Sequence, residues 1–406
     1  MINGGNMKKL ILVIVILYLG YITVTNHISF TKDKLIDINR DMSFYQDLVD
    51  QEVRYLKSLQ LSDGAIMMNE FENGKARIVP YFSNLAAYAM AKSKNTDYEI
   101  KQYIKWYISK LNNENEDPYQ IAGTIFDYTI YEEGMAYENK YTYDSVDSYA
   151  ATFIMVVSEY YQNTQDKDFI LSIENELELV YRALMSMEDN NLFITSFNRS
   201  VKYLMDNCEV VYALEKYQEL VTDLLVKEGS FDYSARSENL KAIIKSAKYQ
   251  IHYELYDFDN EVFDIGYDKE GNKLKFKEYG NFYPDMTAQF FPVIFDIIDP
   301  ESLEAVITYN KHQEFYNLNM ESARENGDTS FYWMIQALFY SKMDKENQLK
   351  EYLNDYQTNY ATNHTYPMYN AEVAWVILAC EHQIEKYEKE KEKIDPFSII
   401  RKFFME

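Results

Sequence analysis

The chain has 406 residues, of which 47% are hydrophobic, so it can bury a sizeable core and disorder is disfavoured. It carries 40 Lys and Arg against 65 Asp and Glu, a net charge of −25, which argues against nucleic acid as a partner because phosphate binding needs clustered basic residues. Two cysteines and five scattered histidines predict neither a disulfide scaffold nor a metal site, and we expect no cofactor.

The N-terminus carries an apolar run from Leu10 to Val24, directly after Lys8 and Lys9. A basic flank holds this end of a membrane segment in the cytoplasm. Because no small-residue cleavage site follows, we expect residues 1–29 to be an uncleaved signal-anchor, with the rest of the chain outside the cytoplasm at the cell surface. A cleaved signal, which would give a secreted protein, is the alternative.

Residues 30–42 are polar and are interpreted as a stem, followed by one domain over 43–389 because no Pro/Ser-rich linker interrupts it. Apolar residues recur with a helical period through most of this domain. Two stretches, 119–144 and 253–283, look extended instead. The predicted helices are 43–60, 80–94, 97–112, 146–163, 167–188, 200–215, 216–228, 236–252, 285–297, 300–315, 328–343, 345–358 and 369–389.

A weak internal repeat organises these helices. Six times, a polar or aromatic loop precedes a helix whose first turn holds small, acidic or amide residues, and the intervals fit two helices each. This predicts an all-α fold, an (α/α)6 toroid whose inner helices begin at the six motifs, with an α-solenoid as the alternative. The six motifs are Pro80–Asn84, Asp144–Tyr149, Met205–Glu209, Tyr283–Gln289, Gly327–Ser330 and Tyr369–Glu372.

Acidic residues at helix starts have a simple explanation, because Asp and Ser cap helices and carboxylates there favour the helix dipole. Capping alone does not require Tyr, Phe and Asn beside the acids at nearly every start. In a toroid all six starts converge on one face. Convergent carboxylates, amides and rings are typical of a glycan cleft, where one acid protonates the leaving oxygen and a second activates water or attacks the sugar.

The segment from Tyr143 to Ala150, YDSVDSYA, resembles the Y-x-S-x-D segment of glucoamylase-like members of the six-hairpin glycosidase superfamily. Asp63-Gly64 resembles the segment that opens many such domains, and glycoside hydrolase family 8 is a candidate neighbour, although its E-G-x-G-Y-G-M motif does not occur here. The resemblance implies an inverting glycoside hydrolase with the second acid of this segment, Asp147, in the sugar-binding subsite.

The first candidates for catalysis are three acids at two of these starts. Asp147 follows Asp144 by three residues, so Asp144 is interpreted as the cap and Asp147 as the functional acid. Asp206 and Glu209 repeat this spacing, and the apolar residues that follow Glu209 favour burial, which raises a carboxyl pKa.

Glu372 is a fourth candidate, since it stands among apolar residues one turn before Trp375 and is either a hydrogen-bonded core residue or a site acid. Asp285 is interpreted mainly as a cap, and Asp63 as a sugar ligand or a turn residue. The residues expected to bind the sugar are Asp63, Tyr81, Asn84, Asp144, Tyr149, Asn207, Asp285, Gln289, Tyr369 and Trp375.

Three functions remain open. The first is a membrane-anchored, monomeric glycoside hydrolase whose partner is a polysaccharide or oligosaccharide. The second is a non-catalytic glycan-binding or polysaccharide-assembly subunit. The third is a polysaccharide lyase, with uronate contacts expected in Phe193–Tyr203. The tail, 390–406, ends in an amphipathic stretch that either packs on the toroid or contacts a membrane or partner.

Overall fold

The computed structural model describes residues 34–316, 334–365 and 368–394. It forms two compact units, one of residues up to Leu48 together with those from Glu381, and the other of Val49–Cys380. The expected anchor (1–29), the motif Gly327–Ser330 and the amphipathic end of the tail lie outside the described residues. Within the described ranges, no helix combines the length and the apolarity that crossing a bilayer requires.

Helices dominate the fold, and we number thirteen of them within the described ranges. They are α1 (34–58), α2 (Pro80–Lys92), α3 (Asp97–Ser109), α4 (Asp147–Thr164), α5 (Lys167–Ser172), α6 (Glu174–Met185), α7 (Leu204–Leu220), α8 (Ser234–Tyr249), α9 (Thr287–Ile294), α10 (Leu303–Tyr316), α11 (Ile335–Lys342), α12 (Glu346–Asn359) and α13 (Asn370–Ile394).

Burial separates these helices into two classes. In α4 every residue from Asp147 to Tyr161 is buried, and α2 and α9 are enclosed almost as completely. In α3 only one apolar stripe is buried, and α12 likewise buries a few residues along one side. A helix apolar all round belongs in a core, whereas a striped helix lies at the surface, so inner and outer helices alternate along the chain.

The inner helices of the larger unit form a closed ring. Neighbouring pairs are α2 with α4, α4 with α7, α7 with α9, and α9 with α11. Ser341 Oγ of α11 donates to Ala379 O of α13 at 2.9 Å. The rings of Phe82 and Tyr369 lie 5.3 Å apart and bring the start of α13 back to α2.

Short strands fill the loops on the side where the inner helices begin. Three of them form an antiparallel sheet in which Ala76 pairs with Ile130, and Ile130 with Tyr137. The others form a second three-stranded sheet and two hairpins. The strands are Lys75–Ile78, Tyr128–Tyr131, Ala136–Asn139, Glu188–Asp189, Leu192–Phe193, Lys202–Tyr203, Tyr256–Asp257, Val262–Phe263, Gly266–Tyr267 and Lys273–Leu274.

Several boundaries differ from those predicted. Residues 34–42, expected as a stem, are helical and continue into α1. The predicted helices 200–215 and 216–228 are one helical run, because π-helical turns at Val221–Leu225 carry α7 on to Glu228. The predicted helix 167–188 is broken at Ile173 into α5 and α6.

Candidate functional site

Asp147 is the first residue of α4, and its side chain is fully buried. Its Oδ1 accepts the backbone N–H of Ser148 at 2.8 Å, whereas its Oδ2 has no hydrogen-bond partner. Burial raises the pKa of Asp147 well above its usual value, and the charges of Asp206 and Glu209 raise it further. The three acids predicted from the two motifs therefore lie close enough to interact electrostatically.

Glu209 lies in α7 and is also buried. Its Oε1 accepts a hydrogen bond of 2.7 Å from the hydroxyl of Tyr81, and its Oε2 has no partner. Burial raises the pKa of Glu209 to about 8, the Tyr81 hydrogen bond acts against this rise, and the charge of Asp206 adds to it. At neutral pH this carboxyl group is mostly protonated.

Asp206 differs from these two acids because its side chain keeps some exposed surface. It precedes Glu209 by three residues, which places their Cβ atoms roughly 5–6 Å apart on one face of α7. Burial, followed by the charge of Asp144, raises the pKa of Asp206 to about 7. This acid therefore changes protonation state near neutrality while in contact with solvent.

Asp144 does not cap α4, contrary to our interpretation. The N-cap position belongs to Val146, which has no side-chain cap, and the backbone N–H of Val146 donates instead to Thr195 O at 2.7 Å. The exposed carboxylate of Asp144 forms an ion pair with Arg199, 2.8 Å between Oδ1 and Nη1. Asp144 thus places a negative charge beside Asp206 and is itself held by a cation.

Asp127 belongs to the same region and was missed by the sequence analysis. It is half-buried just before the strand Tyr128–Tyr131, and its Oδ1 accepts a 2.9 Å hydrogen bond from the hydroxyl of Tyr149. Burial raises the pKa of Asp127 to about 6, while Tyr149 and the charge of Arg77 lower it and Asp144 raises it. The available signal was an acid between two aromatic residues in an extended stretch.

Tyrosines surround the carboxyl groups. The rings of Tyr81 and Tyr149 are stacked with centroids 6.2 Å apart. Burial raises the pKa of Tyr283 to about 12, and the charges of Asp206 and Asp144 contribute, so this phenol lies near both acids. Tyr203 similarly has its pKa raised by burial and by Asp206. Tyr81 and Tyr149, predicted as sugar ligands, are buried and their hydroxyls are bonded to Glu209 and Asp127. Of these four tyrosines, the partly exposed Tyr203 and Tyr283 can pack on a sugar.

Two predicted sugar ligands have their amides occupied by backbone. Asn207 accepts the N–H of Phe193 at 2.7 Å and donates to Phe193 O at 3.0 Å. Gln289 makes the same pair of bonds to Phe263, at 2.8 and 3.0 Å. We call these pairs amide clamps. Each fixes a strand to the start of an inner helix, so neither amide is left to bind a sugar.

The side-chain amide of Asn84 is also occupied by hydrogen bonds within the protein. Its Nδ2 donates to Tyr149 O and to Thr152 Oγ1, both at 3.0 Å, and its Oδ1 accepts from Tyr103 at 2.7 Å. Asn84 therefore joins α2 to α4.

Asp63 lies in an exposed turn. Its Oδ1 accepts the N–H of Ala65 at 3.2 Å, and its Oδ2 accepts the hydroxyl of Tyr137 at 2.7 Å. This arrangement matches the second of the two interpretations of Asp63, that of a turn residue.

The acids at the starts of α9 and α13 are engaged with the main chain or with amides. Asp285 accepts the N–H of Lys277 at 2.9 Å and a hydrogen bond from the amide of Asn281. Glu372 accepts the N–H of Met334 at 2.8 Å, which matches its alternative interpretation as a bonded core residue.

The aromatic residues beside Glu372 are enclosed. Trp375 is 1% exposed and packs against Phe295, with ring centroids 6.4 Å apart. Tyr369 is buried against Phe82. Neither ring offers a surface to a sugar.

No group of three or more His, Cys, Asp or Glu side chains in the described part of the chain is arranged to hold a metal ion. Five carboxyl groups lie near the starts of α4 and α7, and tyrosines and two arginines surround them. Burial raises the pKa of three carboxyl groups in this carboxyl cluster (Asp127, Asp144, Asp147, Asp206 and Glu209) to between about 6 and about 8, so the cluster has the groups for proton transfer.

No family model matches this sequence, and no curated protein matches it either. Several solved structures do share its fold. One, described as a wild-type glycosidase, has a TM-score of 0.53 and 10% identity, and the match covers 88% of this chain and 99% of that chain.

Two other similar structures hold sugars. The alpha-1,6-mannanase of a Salegentibacter species, an inactive variant in complex with alpha-1,6-mannotetrose, has a TM-score of 0.52 and 10% identity, covering 84% of this chain and 99% of that one. A mannosylglycerate hydrolase from Thermus thermophilus, in complex with glucose, has a TM-score of 0.53 and 10% identity, covering 82% and 99%. At such identity the likeness shows the fold alone, and it confirms the predicted α/α toroid.

Proposed function

We propose that the protein is an extracytoplasmic glycoside hydrolase that cleaves a surface or secreted polysaccharide, with Asp206 as general acid and Asp127 as general base. One observation carries this proposal. Two partly exposed carboxyl groups of one cluster, Asp206 and Asp127, have pKa values that burial raises to about 7 and about 6, so both exchange protons near neutral pH, where one can be protonated while the other is ionised. Hydrolysis by two carboxyls requires that combination.

The assignment of roles follows from what surrounds each carboxyl group. Burial and the charge of Asp144 raise the pKa of Asp206, whereas the Tyr149 hydrogen bond and the charge of Arg77 act against the rise at Asp127, so we assign the proton of the pair to Asp206. Asp206 would give this proton to the leaving oxygen, while Asp127 would take a proton from the attacking water. We propose an inverting reaction, for which the two carboxyl groups stand roughly 6.5–9.5 Å apart to admit that water.

This assignment replaces Asp147 as our first choice. A side chain with no exposed surface cannot touch the sugar, and Asp147 is 0% exposed. We therefore propose Asp147 and Glu209 as positioning residues. Burial raises the pKa of both and so favours their uncharged forms, which limits the repulsion that further carboxylates would exert on Asp206.

The proposed substrate is a glycan without acidic groups. Similar structures hold mannotetrose and glucose, which are neutral sugars. The chain has a net charge of −25, which repels polyanions. The membrane anchor, the cell-surface location and the monomeric state remain parts of this proposal.

The test is release of reducing ends by the full chain from a panel of polymers: alpha-1,6-mannan, a β-glucan, chitosan and polygalacturonate. We expect release from a neutral polymer, and a loss of about 10²-fold or more in Asp127→Asn, since general acid–base groups contribute on that scale. Asp97→Asn is the matched control, because Asp97 is an exposed acid in the first turn of the outer helix α3.

The variant Asp147→Asn distinguishes a positioning role of Asp147 from a catalytic one. We expect a loss of about tenfold for a positioning residue, below the scale of a general acid or base. A loss as large as about 10²-fold in Asp147→Asn, with full activity in Asp127→Asn, would return the catalytic role to Asp147. Absence of release from every polymer would refute hydrolysis of these substrates.

The non-catalytic alternative also has a specific observation in its favour. The most exposed acid of the carboxyl cluster, Asp144, forms an ion pair with Arg199, and a carboxylate held in that way is suited to binding rather than to proton transfer. Tight binding of a polymer without any release of reducing ends would support it.

A lyase fits less well. Its uronate would need a cation in Phe193–Tyr203, yet Arg199 is paired with Asp144 and Lys202 with Asp189 at 2.7 Å. A tyrosine base would need a lowered pKa, whereas burial raises the pKa of Tyr149 well above its usual value.

A further inference from the structure

A cavity of about 620 Å³ lies among the strands and loops between Asp257 and Gly280, apart from the carboxyl cluster. Its volume falls within the range of about 300–1,000 Å³ that is typical of small-molecule sites. Aromatic, amide and charged side chains line it together, and one glycine lies at its edge. Among the lining residues are Asn260, Lys275, Phe276, Lys277, Tyr279 and Gly280.

Two aromatic rings give the cavity an apolar surface. The ring centroids of Phe276 and Tyr279 lie 4.7 Å apart with planes inclined at 58°, and both side chains are partly exposed. A ring that is half open to solvent can pack on the apolar face of a pyranose, and the hydroxyls of the sugar need polar partners around it. The ammonium of Lys277 and the amide of Asn260 line the same space. The Nδ2 of Asn260 already donates to Asp257 at 3.0 Å, so its Oδ1 is the atom that can accept from a sugar hydroxyl.

Charge decides which kind of sugar fits. The lining carries three carboxylates, Asp257, Asp264 and Glu278, but only two ammonium groups. Lys275 is bound to two of these carboxylates, at 3.2 Å from Asp257 and 3.0 Å from Asp264. Asp264 also pairs with Lys273 at 3.4 Å, so the best-placed cations are already held by carboxylates and the cavity favours a neutral sugar over a uronate.

No residue of the carboxyl cluster lines the cavity, but a short stretch of chain connects the two regions. Gly280 lines the cavity, and Tyr283, only three residues later, lies near Asp206. Three residues span at most about 11 Å. The N–H of Lys277 is fixed to Asp285 at the start of α9, which ties the rim of the cavity to an inner helix.

We propose that this cavity is a second glycan-binding site, which holds a neutral pyranose unit of the same polymer a few units away from the bond at Asp206. The position along the polymer rests on the proposed function, whereas binding of the polymer does not. A protein with this site prefers long chains to short ones, because the far unit adds contacts that a disaccharide cannot reach.

The test measures binding separately from hydrolysis. The full chain with Asp206→Asn is titrated calorimetrically with the polymers of the panel above. Phe276→Ala should raise the Kd for the bound neutral polymer about tenfold, on the scale of one lost aromatic contact and its buried area. It should leave the Kd for a disaccharide of that polymer unchanged.

Two further variants complete the design. Gly280→Phe fills the cavity without removing any contact, since a Cβ at Gly280 meets no atom within 4 Å, and it should weaken polymer binding at least as much. Phe258→Ala is the matched control, because Phe258 is 57% exposed in the same segment and does not line the cavity. If Phe276→Ala does not fold, polymer binding by Gly280→Phe is the measurement that tests the site.

Unchanged polymer affinity in Phe276→Ala and Gly280→Phe, within about twofold, would overturn the site even if the wild type hydrolyses the polymer. Absence of binding to every neutral polymer would overturn it as well. Conversely, binding that depends on the cavity in a protein without hydrolytic activity would support the site and refute the hydrolase.

Discussion

The starts of α4 and α7 and the starts of α9 and α13 have similar sequences and different chemistry. At the first pair, Asp147 and Glu209 each keep one buried oxygen without a hydrogen-bond partner, and Asp206 has a raised pKa. At the second pair, the acids Asp285 and Glu372 accept hydrogen bonds from backbone N–H groups. The acids of the first pair therefore form the cluster to which we assign proton transfer and its support, whereas those of the second pair serve as hydrogen-bond acceptors for the main chain.

The largest expected effect comes from replacing one acid by Asn at each of the two pairs of helix starts. We expect Asp206→Asn to lower kcat/KM by about 10²- to 10⁴-fold, because a general acid is lost. Asp285→Asn should lower it less than about threefold, since an amide oxygen still accepts the N–H of Lys277 and Asn281 can turn its own amide oxygen towards the new NH2. Reducing-end kinetics on the cleaved polymer measure both. Equal losses would mean that the two helix starts do not differ in function.

The amide clamps should affect stability and leave catalysis in place. Gln289→Ala removes both partners of the buried backbone of Phe263, so we expect the free energy of unfolding to fall by about 3 kcal/mol. Gln218, which bonds Thr222 at an exposed position, is the control, and its replacement by Ala should cost under about 0.5 kcal/mol. Urea unfolding gives both values, and a small change at Gln289 would show that the clamp is dispensable.

Glu209 should make stability depend on pH. Its pKa is about 8 in the folded protein, above the usual value of 4.5, so between these limits the folded state binds more protons than the unfolded state. The free energy of unfolding then falls as pH rises, by up to about 1.4 kcal/mol per pH unit from this group. Glu209→Gln should be more stable than the wild type at pH 8, and the difference should shrink towards pH 4.

Unfolding in urea at pH 4, 6 and 8 measures this difference. The matched control is Glu174→Gln, because Glu174 is buried but both its oxygens accept hydrogen bonds from Ser230. That variant should lose stability at every pH. A wild-type and a Glu209→Gln protein with the same pH slope would show that Glu209 is ionised in the folded state.

The smallest effect concerns Tyr149, whose hydroxyl binds Asp127 and lowers its pKa. In Tyr149→Phe the pKa of Asp127 should rise by roughly 0.5–1 unit, the equivalent of one hydrogen bond. Asp127 acts in its ionised form, so the acidic limb of the kcat/KM profile should move to higher pH. Tyr88→Phe, which removes a hydroxyl bonded to Tyr212, should leave that limb in place.

Much of the fold follows from local patterns. Helical periodicity and scarce glycine and proline predicted most inner and outer helices, and the spacing of the decorated starts predicted two helices per unit. The continuity of α7 through Val221–Leu225 could not be read locally, because π-helical turns let one helix absorb a change of face. No local signal indicated that residues 34–42 continue into α1, since their polar composition is equally typical of a stem.

The candidate site was predicted less completely, for reasons of distance along the chain. The motifs of α4 and α7 identified Asp147, Asp206 and Glu209, which the structure brings together. Asp127 was missed because its partner Tyr149 is 22 residues away and its burial comes from packing. Asn207 was interpreted as a sugar ligand because its bonds to Phe193 form only in the folded chain.

The amide clamps have a consequence for changing the loops of this protein. Each clamp recognises only main-chain atoms, at Phe193 or at Phe263, and so is indifferent to the side chains that the clamped strand carries. Phe193 and Phe263 are themselves fully buried, so loops of different composition can be exchanged next to them while the two phenylalanines keep their contacts in the core. For protein engineering, the two strands mark natural graft points at which specificity can be rewritten while the scaffold is left alone.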